Sequence, residues 1–201
     1  NYPDDKNAKR VKSFIERAAV SSHRLERLIQ SLLEITRFDG DHLVPRPTEF
    51  DFLALVMIQI KEVSGKKDFD RIKVESTEEK IEVFTDNTFV CQIINNLLLN
   101  ALKYSTPEST IEIKTYQDQQ DVYCEIKNKG PGIPHEEREK IFTAFFQSSV
   151  TDKGIGGSGL GLTLSSKYAK SINAEIRLLD SRPESTVFQL KFPKKLEKLP
   201  T

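Results

Sequence analysis

Hydrophobic and polar positions follow two rhythms along this chain. Near the start, Val11, Phe14, Ala18, Ser21, Leu25, Leu28, Leu32 and Ile35 are spaced 3, 4, 3, 4, 3, 4, 3. An average period of 3.5 residues is a heptad seam, the mark of a helix that buries one stripe against another helix. Ile15, Ile29 and Leu33 widen the stripe toward a bundle face. Such a helix cannot bury its seam alone, so it calls for a partner helix from another chain or from sequence outside this one. The alternative is a long helix packed on its own domain. No Gly or Pro interrupts the stretch until Asp39-Gly40-Asp41, where Gly ends it in the usual way.

From His42 onward the rhythm shortens. His42 to Glu49 carries two prolines and reads as an extended linker or edge strand. Phe52 to Val63 is an apolar helix closed around Ser64-Gly65. Short strands are predicted over Arg71 to Ser76 and Ile81 to Phe84, and Asp86 starts a second helix. Period-two alternation then marks Thr110 to Tyr116 and Val122 to Ile126, with a turn at Asp118 to Gln120. A helix over about Leu162 to Ile172 follows a Gly-rich stretch. Strands Glu175 to Leu179 and Thr186 to Phe192 close the chain around a turn at Ser181 to Glu184. Consecutive, mostly antiparallel strands with helices between them predict an α+β class, a two-layer sandwich with a mixed, mainly antiparallel sheet. The divisions are 1–40 for the heptad helix, 41–50 for the linker and 51–201 for the second domain.

The helix after Asp86 has an unusual polar edge. Ile93, Leu97, Ala101 and Tyr104 follow one side and Ile94, Leu98 and Leu102 its neighbour, while Gln92, Asn96, Asn100 and Lys103 share one stripe. Asparagine is a poor helix residue because its amide competes for backbone groups. Two of them one turn apart on an apolar helix suggest a buried helix with one edge facing a ligand. A core helix whose two Asn satisfy neighbouring backbone is the plainer alternative, and the stripe alone does not separate the two.

Composition narrows the partners. Thirty basic and thirty acidic residues cancel, so no global field points to nucleic acid or to an anionic membrane. The apolar runs are too short to span a bilayer, and no signal-peptide pattern opens the chain. These features fit a cytoplasmic domain, although a membrane-anchored parent would look the same once trimmed. Cys91 and Cys124 are isolated in apolar segments and read as core thiols rather than as metal ligands or a disulfide.

Seven of the nine glycines lie between Gly130 and Gly161, and that clustering places the ligand. Asn128-Lys129-Gly130-Pro131-Gly132-Ile133 follows directly on a strand, where Gly lets backbone approach a flat ligand and Asn128 offers one hydrogen-bonding side chain to its edge. Gly154-Ile155-Gly156-Gly157-Ser158-Gly159-Leu160-Gly161 precedes a helix, an arrangement that aims backbone N–H groups and the positive dipole end at an anion such as phosphate. Either group alone is weak. Together with the Asn stripe, in this order, they are specific.

In these segments, over roughly residues 9 to 194, the chain resembles the ATP-binding catalytic region of two-component sensor histidine kinases, in the wider group that holds Hsp90, MutL and gyrase B. Asn96-Leu97-Leu98-Leu99-Asn100-Ala101-Leu102-Lys103-Tyr104 is similar to the N box, and Asn128 to Ile133 to the G1 box, usually Asp-x-Gly-x-Gly. Ile141-Phe142-Thr143-Ala144-Phe145-Phe146 resembles the F box, and Gly157-Ser158-Gly159-Leu160-Gly161-Leu162 the G2 box. The heptad helix, ending Leu32-Leu33-Glu34-Ile35-Thr36-Arg37-Phe38, is similar to the second helix of the dimerisation and phosphoacceptor domain. The resemblance implies the Bergerat fold, three helices on a five-stranded sheet, with ATP between the Asn helix and a lid over about Pro134 to Gly156. Asn100 would bind Mg²⁺, Asn96 would sit beside the phosphates and Lys103 would balance their charge. Asn96 and Lys103 are thus the expected catalytic residues. Tyr104 and Ile133 would border the adenine, with Asn128, Gly130 and Gly132 beside it. The backbone of Gly157, Ser158, Gly159, Leu160 and Gly161 would hold the β- and γ-phosphates. Phe142, Phe145 and Phe146 suit core packing as well as lid closure.

Three departures stand out. Asn128 replaces the family's acidic residue, and no late Gly-rich box appears in Asp180 to Thr186. The third is the phosphoacceptor motif, a His followed by an acidic residue, Leu, Arg and soon Pro, which does not occur. His23 sits in what resembles the second helix, His42 in the linker and His135 in the lid, so the chain is expected to begin just after the phosphoacceptor helix. The readings rank as kinase, then a degenerate docking scaffold, then an ATPase, since Asn96 stands where the ATPase relatives carry a glutamate. The expected partners are a phosphoacceptor helix from missing sequence or a second protomer, a response regulator receiver domain, and a second copy through residues 11–35.

Overall fold

Alternation of period two governs the sheet. The computed structural model describes residues 44–150 and 157–196, with scattered helical positions between 10 and 33. Its strands are β1 (Thr48–Asp51), β2 (Ile72–Ser76), β3 (Glu82–Thr85), β4 (Ile111–Gln117), β5 (Asp121–Asn128), β6 (Glu175–Arg182) and β7 (Ser185–Pro193). Five of them form one sheet in the order β2-β4-β5-β7-β6, with β2 and β4 parallel and the other pairs antiparallel. In β5, Val122, Cys124, Ile126 and Asn128 are buried while the residues between them are not. Their ladder partners Ile113, Leu190 and Phe188 are buried on the same face. The α+β class read from the sequence is the class observed.

Helices α1 (Phe52–Phe69), α2 (Asn87–Tyr104) and α3 (Gly161–Ser171) cover that face. Asp86 caps α2 as its position suggested, its carboxylate accepting from Phe89 N–H at 3.0 Å and from Arg46 N–H at 2.7 Å. Ile93, Ile94, Leu97 and Leu98 are at most 1% exposed, and each contributes roughly 1.5–3 kcal/mol through burial. Phe89 packs on Tyr168 of α3 at 4.9 Å, and Phe52 of α1 meets Phe192 of β7 edge-on at 5.0 Å. Cys124 lies in this core, where burial pushes its thiol up to about 12. Cys91 sits at the core margin and donates to Asn87 Oδ1.

Several boundaries differ from the sequence reading. The first helix does not stop at Ser64-Gly65 but kinks there, Gly65 taking φ 56° and ψ −173°, and continues to Phe69. The final hairpin turns on Pro183-Glu184 alone, because Glu184 adopts the left-handed conformation (φ 66°) usually left to Gly. Both flanking strands are therefore longer than predicted. Thr48–Asp51 pairs with β3 in a separate two-stranded sheet, Thr48 opposite Thr85 and Asp51 opposite Glu82. Of the heptad helix, Val11, Phe14, Ile15, Leu25 and Ile29 are 51–76% exposed. His23, Leu28, Leu32, Ile35 and His42 lie outside the described residues.

One charged residue fastens α2 from outside the helix. Arg71 lies between α1 and β2 with its Nε 2.8 Å from the Asp68 carboxylate. Its two terminal nitrogens donate to the carbonyls of Leu102, Thr106 and Ser109 and to Ser105 Oγ. A fixed cation on the last carbonyls of a helix satisfies acceptors the helix leaves open and complements the dipole. Arg71→Met is expected to cost about 2 kcal/mol, with Lys recovering only part because it lacks the planar fork. Urea denaturation checks this, and an unchanged midpoint would contradict it.

Candidate functional site

The polar stripe of α2 opens on a single cleft. Asn96, Asn100 and Lys103 line it, while Gln92, at the other end of the stripe, is exposed and lies outside it. Facing them are Asn128 at the end of β5, the turn Pro131 to Ile133, Thr186 and Phe188 of β7, and the loop entering α3. Of the thirteen residues singled out from the sequence, eleven line this space. Leu160 does not: its side chain is fully buried, and its N–H donates to Ser158 Oγ at 3.2 Å. Gly130 stands behind the wall, with Tyr104 O only 2.3 Å from where its Cβ would be.

Asn96 and Asn100 have different surroundings. The Asn96 amide donates to Ser165 Oγ of α3 at 2.9 Å, and a Cβ on Gly161 would lie 2.1 Å from its Oδ1. Asn96 therefore joins the two helices as well as lining the cleft. Asn100 makes no hydrogen bond to any described residue through its side chain, leaving its carbonyl oxygen free. Lys103 Nζ donates to Tyr104 Oη at 2.8 Å and lies 4.5 Å from that ring's centre. The same ammonium would be 2.8 Å from a Cβ on Gly157, so this Gly gives it room against the loop.

The far wall is a loop held by short bonds. Gly159 takes φ 70° and accepts from Phe145 N–H at 2.9 Å, and Gln147 donates to Gly157 O at 2.9 Å. Thr163 of α3 donates to Phe142 O at 3.0 Å. At the base of the loop, Ser148 Oγ and Ser149 N–H donate to Glu137, which holds its carboxyl below the usual range. Phe142 and Phe146 pack against the core, and Phe146 also lines the cleft; Phe145 is 60% exposed. Gly154 and Gly156, at the far end of the expected lid, lie outside the described residues.

The sequence reading missed Thr186, Phe188, Leu99, Ile141, Gln147, Ser148 and Leu162 as lining residues. Strand alternation could have found Thr186 and Phe188, because both share the inward face of a predicted strand. Among the described residues lining the cleft, Lys103 carries the one full charge and no carboxylate is present. The first turn of α3 holds no acidic residue and has no side-chain cap, so its N–H groups remain available to an anion. A free amide oxygen, one cation, an uncapped helix start and apolar walls suit a flat ligand bearing phosphates. No three His, Cys, Asp or Glu side chains among the described residues stand together as a metal cluster. Among them, too, no helix is long and apolar enough to cross a membrane.

Comparison with known proteins agrees with the geometry. Residues 85–196 match the family model described as histidine kinase-, DNA gyrase B- and HSP90-like ATPase. The chain is 32% identical over 191 residues to the sensor protein KdpD of Clostridium acetobutylicum, covering 94% of this chain and 21% of that one. The catalytic domain of the histidine kinase ThkA superposes with TM-score 0.67 at 29% identity, covering 77% of this chain and 99% of that one. ThkA in complex with the response regulator TrrA gives TM-score 0.76 at 25% identity, covering 98% and 55%. The chain spans 21% of KdpD's length and about half the length of several other curated relatives it matches.

Proposed function

Because the chain belongs to the histidine kinase-, DNA gyrase B- and HSP90-like ATPase family, we propose that it is the ATP-binding catalytic region of a sensor histidine kinase. It would transfer the γ-phosphoryl of ATP to a histidine on a phosphoacceptor helix, from which a response regulator receiver domain takes it. The observation that carries this reading is the cleft itself, where Asn100 Oδ1, Lys103 Nζ and the start of α3 face one volume with no carboxylate among its described lining residues.

Each residue then has a stated task. Asn100 would hold Mg²⁺ through its amide oxygen, and the metal, when bound, offsets phosphate charge. Lys103 would leave Tyr104 and move its ammonium to the phosphates, a shift of one flexible side chain. The backbone N–H groups from Gly157 to Gly161 would face the β- and γ-phosphates, and Asn96 would keep α3 in register with α2 through Ser165. Tyr104 and Ile133 would border the base. Phosphoryl transfer by this class of site is mainly positioning and charge stabilisation. A hydrolase would need a group to orient or deprotonate water near Asn96, and that position carries an amide already bonded to Ser165.

The heptad seam supports a second copy as a partner. Val11, Phe14, Ile15, Leu25 and Ile29 leave apolar surface uncovered within the described chain, and a second copy through residues 11–35, with phosphoacceptor helices, would complete a four-helix bundle. The test is incubation of the chain with γ-labelled ATP, alone and with a separate domain carrying a phosphoacceptor helix. Acid-labile, alkali-stable label is expected on the added domain and none on the chain alone, His23 included. ATP binding without transfer would favour a docking scaffold. Phosphate release without the added domain would favour an ATPase.

A further inference from the structure

The β5–β7 side of the cleft is lined by neutral groups only. Asn128 is the last inward residue of β5, following Val122, Cys124 and Ile126, so strand alternation turns its amide toward the helix layer and into the cleft. It is 4% exposed, and its side chain makes no hydrogen bond to any described residue. Thr186, opposite it in the β5–β7 ladder, is 7% exposed and also lines the cleft. Phe188 of β7 adds apolar surface on this side, and Ile133 and Ile141 line the cleft as well. An amide nearly enclosed by protein, unbonded within it and open only to the cleft is placed to take its hydrogen bonds from a ligand there.

The identity of these two groups sets what they accept. A carboxylate only accepts hydrogen bonds and repels a carbonyl, whereas an amide accepts through oxygen and donates through nitrogen, and a hydroxyl does both. On the edge that distinguishes the purines, adenine presents an amino donor beside a ring acceptor, and guanine a carbonyl acceptor beside a ring N–H. Rotating the Asn128 amide by half a turn exchanges one pattern for the other at no charge penalty. We infer that this cleft accepts both purine nucleoside triphosphates, GTP alongside ATP, with Asn128 as the residue that sets the ratio. The inference rests on the reading of the cleft as a nucleotide site and adds the base selectivity.

The measurement is calorimetric titration of the whole chain with the β,γ-imido analogues of ATP and GTP in Mg²⁺. The two dissociation constants should lie within about tenfold of each other. In Asn128→Asp, of nearly the same shape, the ATP analogue should bind several-fold tighter and the ratio should widen by about tenfold or more, because the carboxylate accepts from adenine with full charge and opposes guanine's carbonyl. A wild-type ratio above tenfold, or a ratio unchanged in Asn128→Asp, overturns the inference while ATP-analogue binding leaves the nucleotide site standing. Failure of both analogues to bind the wild type overturns both. Should a buried carboxylate prevent Asn128→Asp from folding, the wild-type ratio alone decides.

Discussion

Replacing Asn100 with Ala is expected to lower Mg²⁺-dependent ATP affinity at least tenfold, about 1.4 kcal/mol or more. Phosphoryl transfer to an added phosphoacceptor domain should fall on the order of 100-fold, the scale seen when one preorganised polar contact to reacting charge is removed. The physical reason is scarcity. The described lining of the cleft offers no carboxylate, so one amide oxygen is a large share of what the protein can give a hard cation, which otherwise relies on phosphates and water. The same substitution should leave folding almost untouched, within about 0.5 kcal/mol, since the Asn100 side chain bonds to nothing among the described residues. Asn96→Ala makes the contrast. It removes the bond to Ser165 and should lower the denaturation midpoint as well as the affinity. Calorimetry with and without Mg²⁺, beside urea denaturation of both variants, separates these effects. Unchanged ATP binding in Asn100→Ala would sink the assignment of the metal-facing residue.

That contrast also shows how far residue spacing alone reaches. The 3.6-residue rhythm placed α2, its buried sides and its amide edge within one element, because helical periodicity is local and Asp86 marks the start. It could not show that Asn96 turns to α3 while Asn100 stays free, since Ser165 lies sixty-nine residues away. Strand alternation likewise placed the faces of β4 and β5. The β1–β3 pair went unread as a sheet, because a four-residue strand after a Pro-bearing stretch has too few alternating positions to declare a partner. Arg71 read only as the first residue of a short predicted strand, and its grip on four groups around the end of α2 exists only once β2 and β4 pair. The last hairpin shows the opposite limit. The family's Gly-rich box is absent where the chain turns, and Glu184 takes the left-handed conformation there, its N–H donating to Gly130 O at 2.8 Å. Local preference yielded there to a tertiary bond.

Gly130 carries the second large effect. Gly130→Ala is expected to cost about 3 kcal/mol of stability, at the upper end of overpacking substitutions, and to weaken nucleotide binding through Tyr104 and Asn128 on either side. Its φ is not in the left-handed region, so conformation does not demand Gly here; space does. An added Cβ would stand 2.3 Å from Tyr104 O and 3.3 Å from Tyr104 C, and both are backbone atoms that cannot rotate away. The surroundings are fastened as well. Thr106 N–H donates to Lys129 O at 2.7 Å, Glu184 N–H to Gly130 O, and Ser105 N–H to Ala101 O at the end of α2. Relief would require moving the strand end that carries Asn128 or the helix end that carries Lys103 and Tyr104, and the cleft lies between them. Gly65→Ala is the control: Gly65 has φ 56° and ψ −173°, where a side chain is strained, but nothing lies within 4 Å of its Cβ position and it is not among the residues lining the cleft, so a conformational cost of about 1–3 kcal/mol applies and ATP binding should not change. Urea denaturation of the two variants, with ATP titration of each, reads both consequences. Unchanged ATP binding in Gly130→Ala would mean that the close approach of Tyr104 to the glycine turn does not shape the site.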